Sequence, residues 1–120
     1  MDKLKRSIKS GQIGMRQLVF KFDGTLATPL ALGYDANRIE SITKTATGEY
    51  LIVLKTQSQF HVNQDALPFC QIYTGNNRNV SVASVDYDRF AISTYKRDDG
   101  TAADAYVACL VFGSDNRINN

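Results

Sequence analysis

Short apolar segments, broken at regular intervals by turn-forming residues, are the feature that most constrains the fold of this 120-residue chain. Segments such as 17–22 (QLVFKF), 49–56 (EYLIVLKT) and 89–96 (RFAISTYK) are rich in aliphatic and aromatic side chains. Turn signals such as Asp23-Gly24 follow them at a spacing of about ten residues, which is typical of an all-β sandwich or barrel. Because only the N-terminal leader has any helical option, we expect an all-β fold.

The pattern predicts seven or eight short antiparallel strands. They are placed at residues 17–22, 38–45, 49–56, 69–73, 79–85, 89–96 and 104–113, with a short edge strand around 30–32 and a loop over 57–68. One domain, residues 15–120, is expected, preceded by an extended basic arm over residues 1–14. Its core is predicted to contain Val19, Tyr50, Ile52, Leu54, Val82, Ile92, Val107 and Val111.

The longest apolar runs are too short for a membrane. Residues 50–54 form a run of only about five apolar side chains, whereas a membrane-spanning helix needs about 20. Gly11 and Gly14 interrupt the leader before any secretory apolar region can form. We therefore expect neither export by the general secretory route nor a membrane partner.

The leader concentrates positive charge. Residues 1–21 contain six basic side chains and one acidic side chain, whereas residues 22–120 contain eight basic and eleven acidic ones. This asymmetry suits a soluble body with an arm that binds a negatively charged surface. The predicted partner-binding residues are Lys3, Leu4, Lys5, Arg6, Ile8, Lys9 and Ile13. The alternative, a solvated leader without a partner, fits the same residues equally well.

Catalytic, metal and cofactor sites are not expected. His61 is the only histidine, so any histidine-dependent triad would have to include it. The acidic pairs Asp86/Asp88 and Asp98/Asp99 flank predicted turns, where aspartate binds its own backbone. The chain also lacks a glycine-rich phosphate loop, because Gly11–Gly14 has neither a third glycine nor a preceding strand. We therefore expect a protein that is not an enzyme and that binds no metal or cofactor.

The two cysteines, Cys70 and Cys109, are expected to be structural thiols. They are separated by 39 positions and do not form a CxxC motif. Cys109 lies in the apolar run AYVACLVF, where a free cysteine behaves as a small apolar residue. A disulfide or a metal site remains open as an alternative for the pair.

Nucleic-acid binding is an alternative function. An oligonucleotide-binding barrel is also all-β and alternates exposed aromatic residues with lysine and arginine. Here the basic residues of the body are scattered, although the basic arm could contact phosphates. Nucleic acid is therefore retained only as an alternative partner.

Two stretches carry a family resemblance: TGEYLIVLKT (47–56) and AYVACLVFGSD (105–115). Together they resemble strands of small structural proteins of tailed bacteriophages. They are also similar to the Gly-x-Tyr strand and the closing strand of C1q/TNF-like jelly rolls. Between them, residues 80–104 look like the hairpin that such phage domains place before the last strand. The resemblance covers roughly residues 15–115.

The resemblance implies a single β-sandwich of the jelly-roll type that acts as a virion component. The expected function is capsid decoration (cement): binding to the major capsid protein and stabilising the head after assembly in the host cytoplasm. The resemblance further implies a homo-oligomer, with a trimer as the expected form. A small protein associated with the tail or a fibre is the alternative virion role. Such proteins act by binding and not by catalysis.

Overall fold

A computed structural model describes residues 16–55, 67–86 and 88–113. Its seven strands are β1 (Arg16–Asp23), β2 (Ile39–Ala46), β3 (Glu49–Leu54), β4 (Leu67–Thr74), β5 (Arg78–Val85), β6 (Arg89–Lys96) and β7 (Tyr106–Gly113). Within these ranges the only helical element is a 3₁₀ turn, Ala36–Arg38. The all-β prediction is confirmed, and each strand lies close to its predicted position. The predicted edge strand around residues 30–32 is reduced to a single bridge between Leu32 and Lys21.

The strands form two antiparallel sheets. The three-stranded sheet has the order β1-β7-β4, and the four-stranded sheet has the order β2-β3-β6-β5. The first and last described strands are neighbours, because β1 pairs with β7 along its whole length from Arg16–Gly113 to Asp23–Tyr106. The β2–β3 and β5–β6 hairpins each remain within one sheet.

The inner faces of the two sheets share one apolar core. Alternate residues of each strand supply it, as the two-residue period of a strand requires. The three-stranded sheet contributes Leu18, Phe20, Phe22, Val107, Cys109 and Val111, and the four-stranded sheet contributes Ile39, Ile42, Tyr50, Ile52, Leu54, Phe90 and Ile92. Because both inner faces lose contact with water in this way, the arrangement is that of a sandwich.

Six of the eight predicted core residues are almost fully buried: Tyr50, Ile52, Leu54, Ile92, Val107 and Val111. Val82 is half-buried and packs against the core from the edge strand β5. The prediction for Val19 is wrong, since 37% of its surface is exposed. The larger neighbours Leu18 and Phe20 occupy the core, and strand alternation then turns Val19 outward.

Candidate protein-binding face

The outer side of the three-stranded sheet carries a group of apolar side chains that face solvent. Its side chains come from the strand positions that alternate with the core positions. We define the apolar face by five residues: Val19 of β1, Leu67 and Phe69 of β4, and Leu110 and Phe112 of β7.

These five residues are contiguous and lie in register. Val19 and Phe69 both lie directly opposite Leu110, so the three side chains form one row across the sheet. Leu67 lies opposite Phe112 in the next row. The rings of Phe69 and Phe112 meet edge to face with centroids 6.0 Å apart. Leu67 is 62% exposed and Phe69 is 53% exposed. Single exposed apolar residues are normal, whereas a contiguous patch of them makes this face a candidate interaction site.

The other end of this face is aromatic and carries both signs of charge. The rings of Tyr73 and Tyr106 pack edge to face at 5.9 Å. The Lys21 ammonium lies 5.0 Å from the centre of the Tyr73 ring, at cation–π distance. Burial, followed by the charge of Asp23, raises the pKa of Tyr73 above its ordinary value. The tyrosine is therefore a neutral hydrogen-bonding group at neutral pH, set between one cation and one anion.

The outer side of the four-stranded sheet differs in chemistry. Its exposed positions are mainly polar and include Glu40, Ser41, Thr43, Thr45, Glu49 and Ser81. The outward positions of β3 also include Leu51 and Val53, but these are half-buried, whereas the three-stranded sheet presents the more exposed Leu67 and Phe69. Further exposed large apolar side chains lie in the segment between β1 and β2, at Leu26, Leu30, Leu32 and Tyr34.

A loop protects the free edge of β1 next to the apolar face. Leu32 exchanges two backbone hydrogen bonds with Lys21, of 2.8 and 2.9 Å. The Val19 amide donates to Asp35 Oδ2 at 2.7 Å, and the Asp35 amide donates back to the Val19 carbonyl at 2.9 Å. Satisfying these edge groups blocks strand addition at β1. Contacts with a partner at this sheet would therefore use its outer face and not the β1 edge.

Three segments leave the sheet at the Phe112 end of the apolar face. Arg16, where β1 begins, pairs with Gly113, where β7 ends, and Leu67, where β4 begins, pairs with Phe112. Residues 1–15, 56–66 and 114–120 thus all connect to this end of the sheet. The seven predicted partner-binding residues (Lys3, Leu4, Lys5, Arg6, Ile8, Lys9 and Ile13) lie outside the described residues, as does His61.

Asp104 organises a polar cluster at one end of the sandwich. Its carboxylate accepts hydrogen bonds from Lys44 Nζ at 2.5 Å, the Gly48 amide at 2.8 Å and the Tyr50 hydroxyl at 3.1 Å. The Tyr50 hydroxyl also lies 2.9 Å from the Gly24 carbonyl and donates to one of these two acceptors at a time. Partial burial acts to raise the pKa of Asp104, but the three donors outweigh it and the pKa lies below its ordinary value.

The chemistry of this cluster is structural. Burial is the main reason that the pKa of Tyr50 is raised to about 12, so its phenol keeps its proton at neutral pH. The carboxylate of Asp104 is already engaged by three donors from β2, β3 and their connecting turn. The cluster therefore joins the segment before β7 to the β2–β3 hairpin.

The acidic pairs near turns match their predicted local role in part. Asp99 Oδ1 accepts hydrogen bonds from the Thr101 amide at 3.0 Å and from its hydroxyl at 2.7 Å. Asp88 is bonded to the adjacent Arg89 at 2.9 Å. Asp99 thus stabilises its own turn, as expected for aspartate after a strand.

Within the described ranges, no three His, Cys, Asp or Glu side chains are grouped in a way that could hold a metal ion. In the same part of the chain, no helix has the length and apolar character needed to cross a membrane.

Comparison with known protein families, curated proteins and solved structures gave no match.

The sequence contained a signal for the apolar face that the strand predictions did not use. Residues 105–112 (AYVACLVF) are apolar at every position rather than at alternate ones. Such a run cannot present a polar outer face, so β7 must be covered on both sides or leave one apolar side exposed.

Proposed function

We propose that this protein is a non-enzymatic structural protein that works by binding other proteins, and specifically a capsid decoration (cement) protein of a tailed-phage virion. The observation that carries the binding role is the apolar face, with Phe69, Leu110 and Phe112 in adjacent rows. A contiguous exposed surface of this kind is typical of protein–protein contact sites. The virion role comes from the resemblance of residues 47–56 and 105–115 to phage structural proteins.

We further propose that the sandwich is a shortened jelly roll. The β1–β7 pairing encloses the β3–β6 pairing in sequence, and β4 and β5, which only a short turn separates, lie in different sheets. A jelly roll is likewise a sandwich of two antiparallel sheets. The seven described strands are one fewer than the eight of a full jelly roll.

The proposed occupant of the apolar face is the same face, or an adjoining surface, of further copies of this chain, in a homotrimer. Charge is compatible with self-association because Lys21 and Asp23 carry opposite signs near one end of the face. A uniformly charged face would repel its own copies. Three strands of about eight residues cover only about 400 Å² in projection, which is less than the roughly 800 Å² per partner of a standard interface. Each copy therefore needs additional contacts.

In this proposal the basic arm supplies further contacts, to the major capsid protein. It joins the sheet beside Phe112, so an arm and a docked face can act at the same site. Exposed ion pairs would stabilise the complex by only about 0–1 kcal/mol each. Binding of the arm therefore also requires burial of the apolar residues Leu4, Ile8 and Ile13. Linking several modest contacts raises the overall affinity well above that of each one.

The proposal is tested by co-sedimentation of the purified chain with heads of the phage that encodes it. Deleting residues 2–10 should leave the melting temperature nearly unchanged, because the described sandwich begins at Arg16. It should weaken binding to heads at least about tenfold, because one of several linked contacts is lost. Replacing Lys3, Lys5, Arg6 and Lys9 with glutamine should weaken binding less and flatten its dependence on salt. Full binding by the deletion variant would show that the arm is a solvated leader.

Nucleic-acid binding is the second candidate, and Lys21 stacked on Tyr73 beside Tyr106 is the observation that favours it. Bases stack on exposed aromatic rings next to cations. The rest of the face argues against nucleic-acid binding, because its side chains Val19, Leu67 and Leu110 are aliphatic and have no ring on which a base can stack. Tight binding of single-stranded oligonucleotides that Tyr73→Ala abolishes would favour this candidate over capsid binding.

Co-sedimentation with isolated tails would favour the tail or fibre alternative.

A further inference from the structure

Two thiols face each other across strands β4 and β7. Cys70 and Cys109 are directly opposite in the strand register, and their Sγ atoms lie 3.4 Å apart. Both are free thiols in the structure. Opposite residues of an antiparallel pair have Cα atoms about 4.5–5.5 Å apart, which lies within the range that a disulfide bridges. The backbone therefore already has the spacing that the bond requires.

We propose that Cys70 and Cys109 form a thiol–disulfide site, which a low-molecular-weight disulfide such as oxidised glutathione converts into a cross-strand disulfide within one chain. The site lies on the inner side of the sheet, directly behind the Phe69–Leu110 row of the apolar face. The reaction itself does not depend on what the apolar face binds.

The two thiols differ in access, which sets the order of the reaction. Cys70 is only partly buried, whereas Cys109 is 1% exposed. Burial, with a contribution from the contact with Cys70, raises the pKa of Cys109 well above its ordinary value. Since the thiolate is the nucleophile in thiol–disulfide exchange, Cys70 reacts first and Cys109 second.

The exchange balances in two steps. The Cys70 thiolate attacks one sulfur of oxidised glutathione, whose sulfur–sulfur bond breaks, and one glutathione leaves and takes up a proton. Cys109 then loses its proton to solvent and attacks Sγ of Cys70, and the second glutathione leaves as a thiol. The protein loses two electrons and two protons, and one oxidised glutathione becomes two reduced molecules.

The bond would fix β4 onto β7. Pairing with β7 is the only strand pairing of β4 among the described residues, and Pro68 removes one backbone donor from it. A covalent link at Cys70 would hold the register that places Phe69 opposite Leu110. It would also close a loop of 39 residues, which restricts the unfolded chain.

The test uses the fully reduced full-length chain, incubated with excess oxidised glutathione and analysed by intact mass and by a thiol count after denaturation. We expect the mass to fall by two hydrogen atoms, no remaining thiol, one chain per molecule on a non-reducing gel, and a melting temperature higher by more than about 5 °C. Retention of both thiols, glutathione on both cysteines, or disulfides between chains would each overturn the proposal.

Two single variants test the order of attack. Cys109→Ser should stop at a mixed disulfide carrying one glutathione on Cys70, whereas Cys70→Ser should keep Cys109 as an unmodified thiol. Glutathione on Cys109 in the second variant would contradict the assigned order. Because the wild-type measurement stands alone, a variant that fails to fold leaves the main test intact.

Discussion

Asp104 connects parts of the chain that are far apart in sequence. It lies 60, 56 and 54 positions from Lys44, Gly48 and Tyr50, and its side chain touches all three. Its backbone carbonyl also accepts a hydrogen bond of 2.9 Å from Arg78 Nε. Three strands of the four-stranded sheet, β2, β3 and β5, are therefore connected to the aspartate just before β7 of the three-stranded sheet.

Replacing Asp104 with asparagine isolates the contribution of the charge. The amide can still accept from Gly48 and Tyr50 but cannot pair with the Lys44 ammonium. We expect a loss of about 1–3 kcal/mol in the free energy of unfolding at neutral pH, measured by urea denaturation. Asp99→Asn, at an exposed turn, is the matched control, and it should lower the free energy of unfolding by less than Asp104→Asn does.

Acidification should remove the difference in stability between the wild type and Asp104→Asn. The pKa of Asp104 is lowered by folding, so its contribution is complete above the ordinary value of 3.8 and is lost as the pH falls through the folded-state value. The stabilities of the wild type and Asp104→Asn should therefore converge in acid. If the two proteins differed in free energy of unfolding by the same amount at neutral and at strongly acidic pH, the charge of Asp104 would not contribute to stability.

At the scale of elements, the turn between β2 and β3 depends on Gly48. Its φ is +72°, and a Cβ there would collide with the Thr94 carbonyl oxygen and lie 2.9 Å from the Ala103 amide nitrogen. Gly100 has a similar φ of +76°, but a Cβ added there would meet no atom within 4 Å beyond its chain neighbours. The two glycines thus share a backbone conformation and differ in their surroundings.

This difference predicts unequal costs for the same substitution. Gly100→Ala should lower the free energy of unfolding by about 1 kcal/mol, which is the cost of a left-handed residue with a side chain. Gly48→Ala should lower it by at least about 3 kcal/mol, because rigid backbone must also move. Denaturation curves of both variants provide the measurement. Equal losses would mean that the β2–β3 turn is not packed against β6 and the segment before β7.

The elements could be predicted from the sequence because their signals are local. Apolar alternation and turn residues such as those of 46–49 act within a few positions, so strand positions were predicted closely. It is harder to predict which side chains of β1 are buried. Val19 and its neighbours Leu18 and Phe20 are all apolar, so only packing decides which side of the strand faces the core.

The sites could not be predicted in the same way, because they depend on strand pairing. The contact between Cys70 and Cys109 requires β4 to pair with β7 in one register, and the Asp104 cluster requires partners more than 50 positions away. Apolar runs in β4 and β7 also do not reveal which side is left exposed. The predicted site residues of the arm lie outside the described part of the chain, so their role remains a prediction.

At the scale of the whole molecule, the central claim is that copies of the chain assemble through the apolar face. Phe69→Glu places a charge in the middle of that face at a position that is already 53% exposed. Thr43→Glu places the same charge at an exposed position of β2, on the outer side of the other sheet. Both variants should keep the wild-type melting temperature to within a few degrees, because neither residue belongs to the core.

Sedimentation equilibrium of these three proteins tests the claim most directly. We predict that the wild type and Thr43→Glu sediment with three times the 13.3 kDa mass of the chain. Phe69→Glu should sediment as a folded monomer, because an interface cannot bury an unpaired carboxylate without a large desolvation cost. A wild-type protein that remains monomeric at all concentrations, or a Phe69→Glu variant that keeps the assembled mass, would contradict the account.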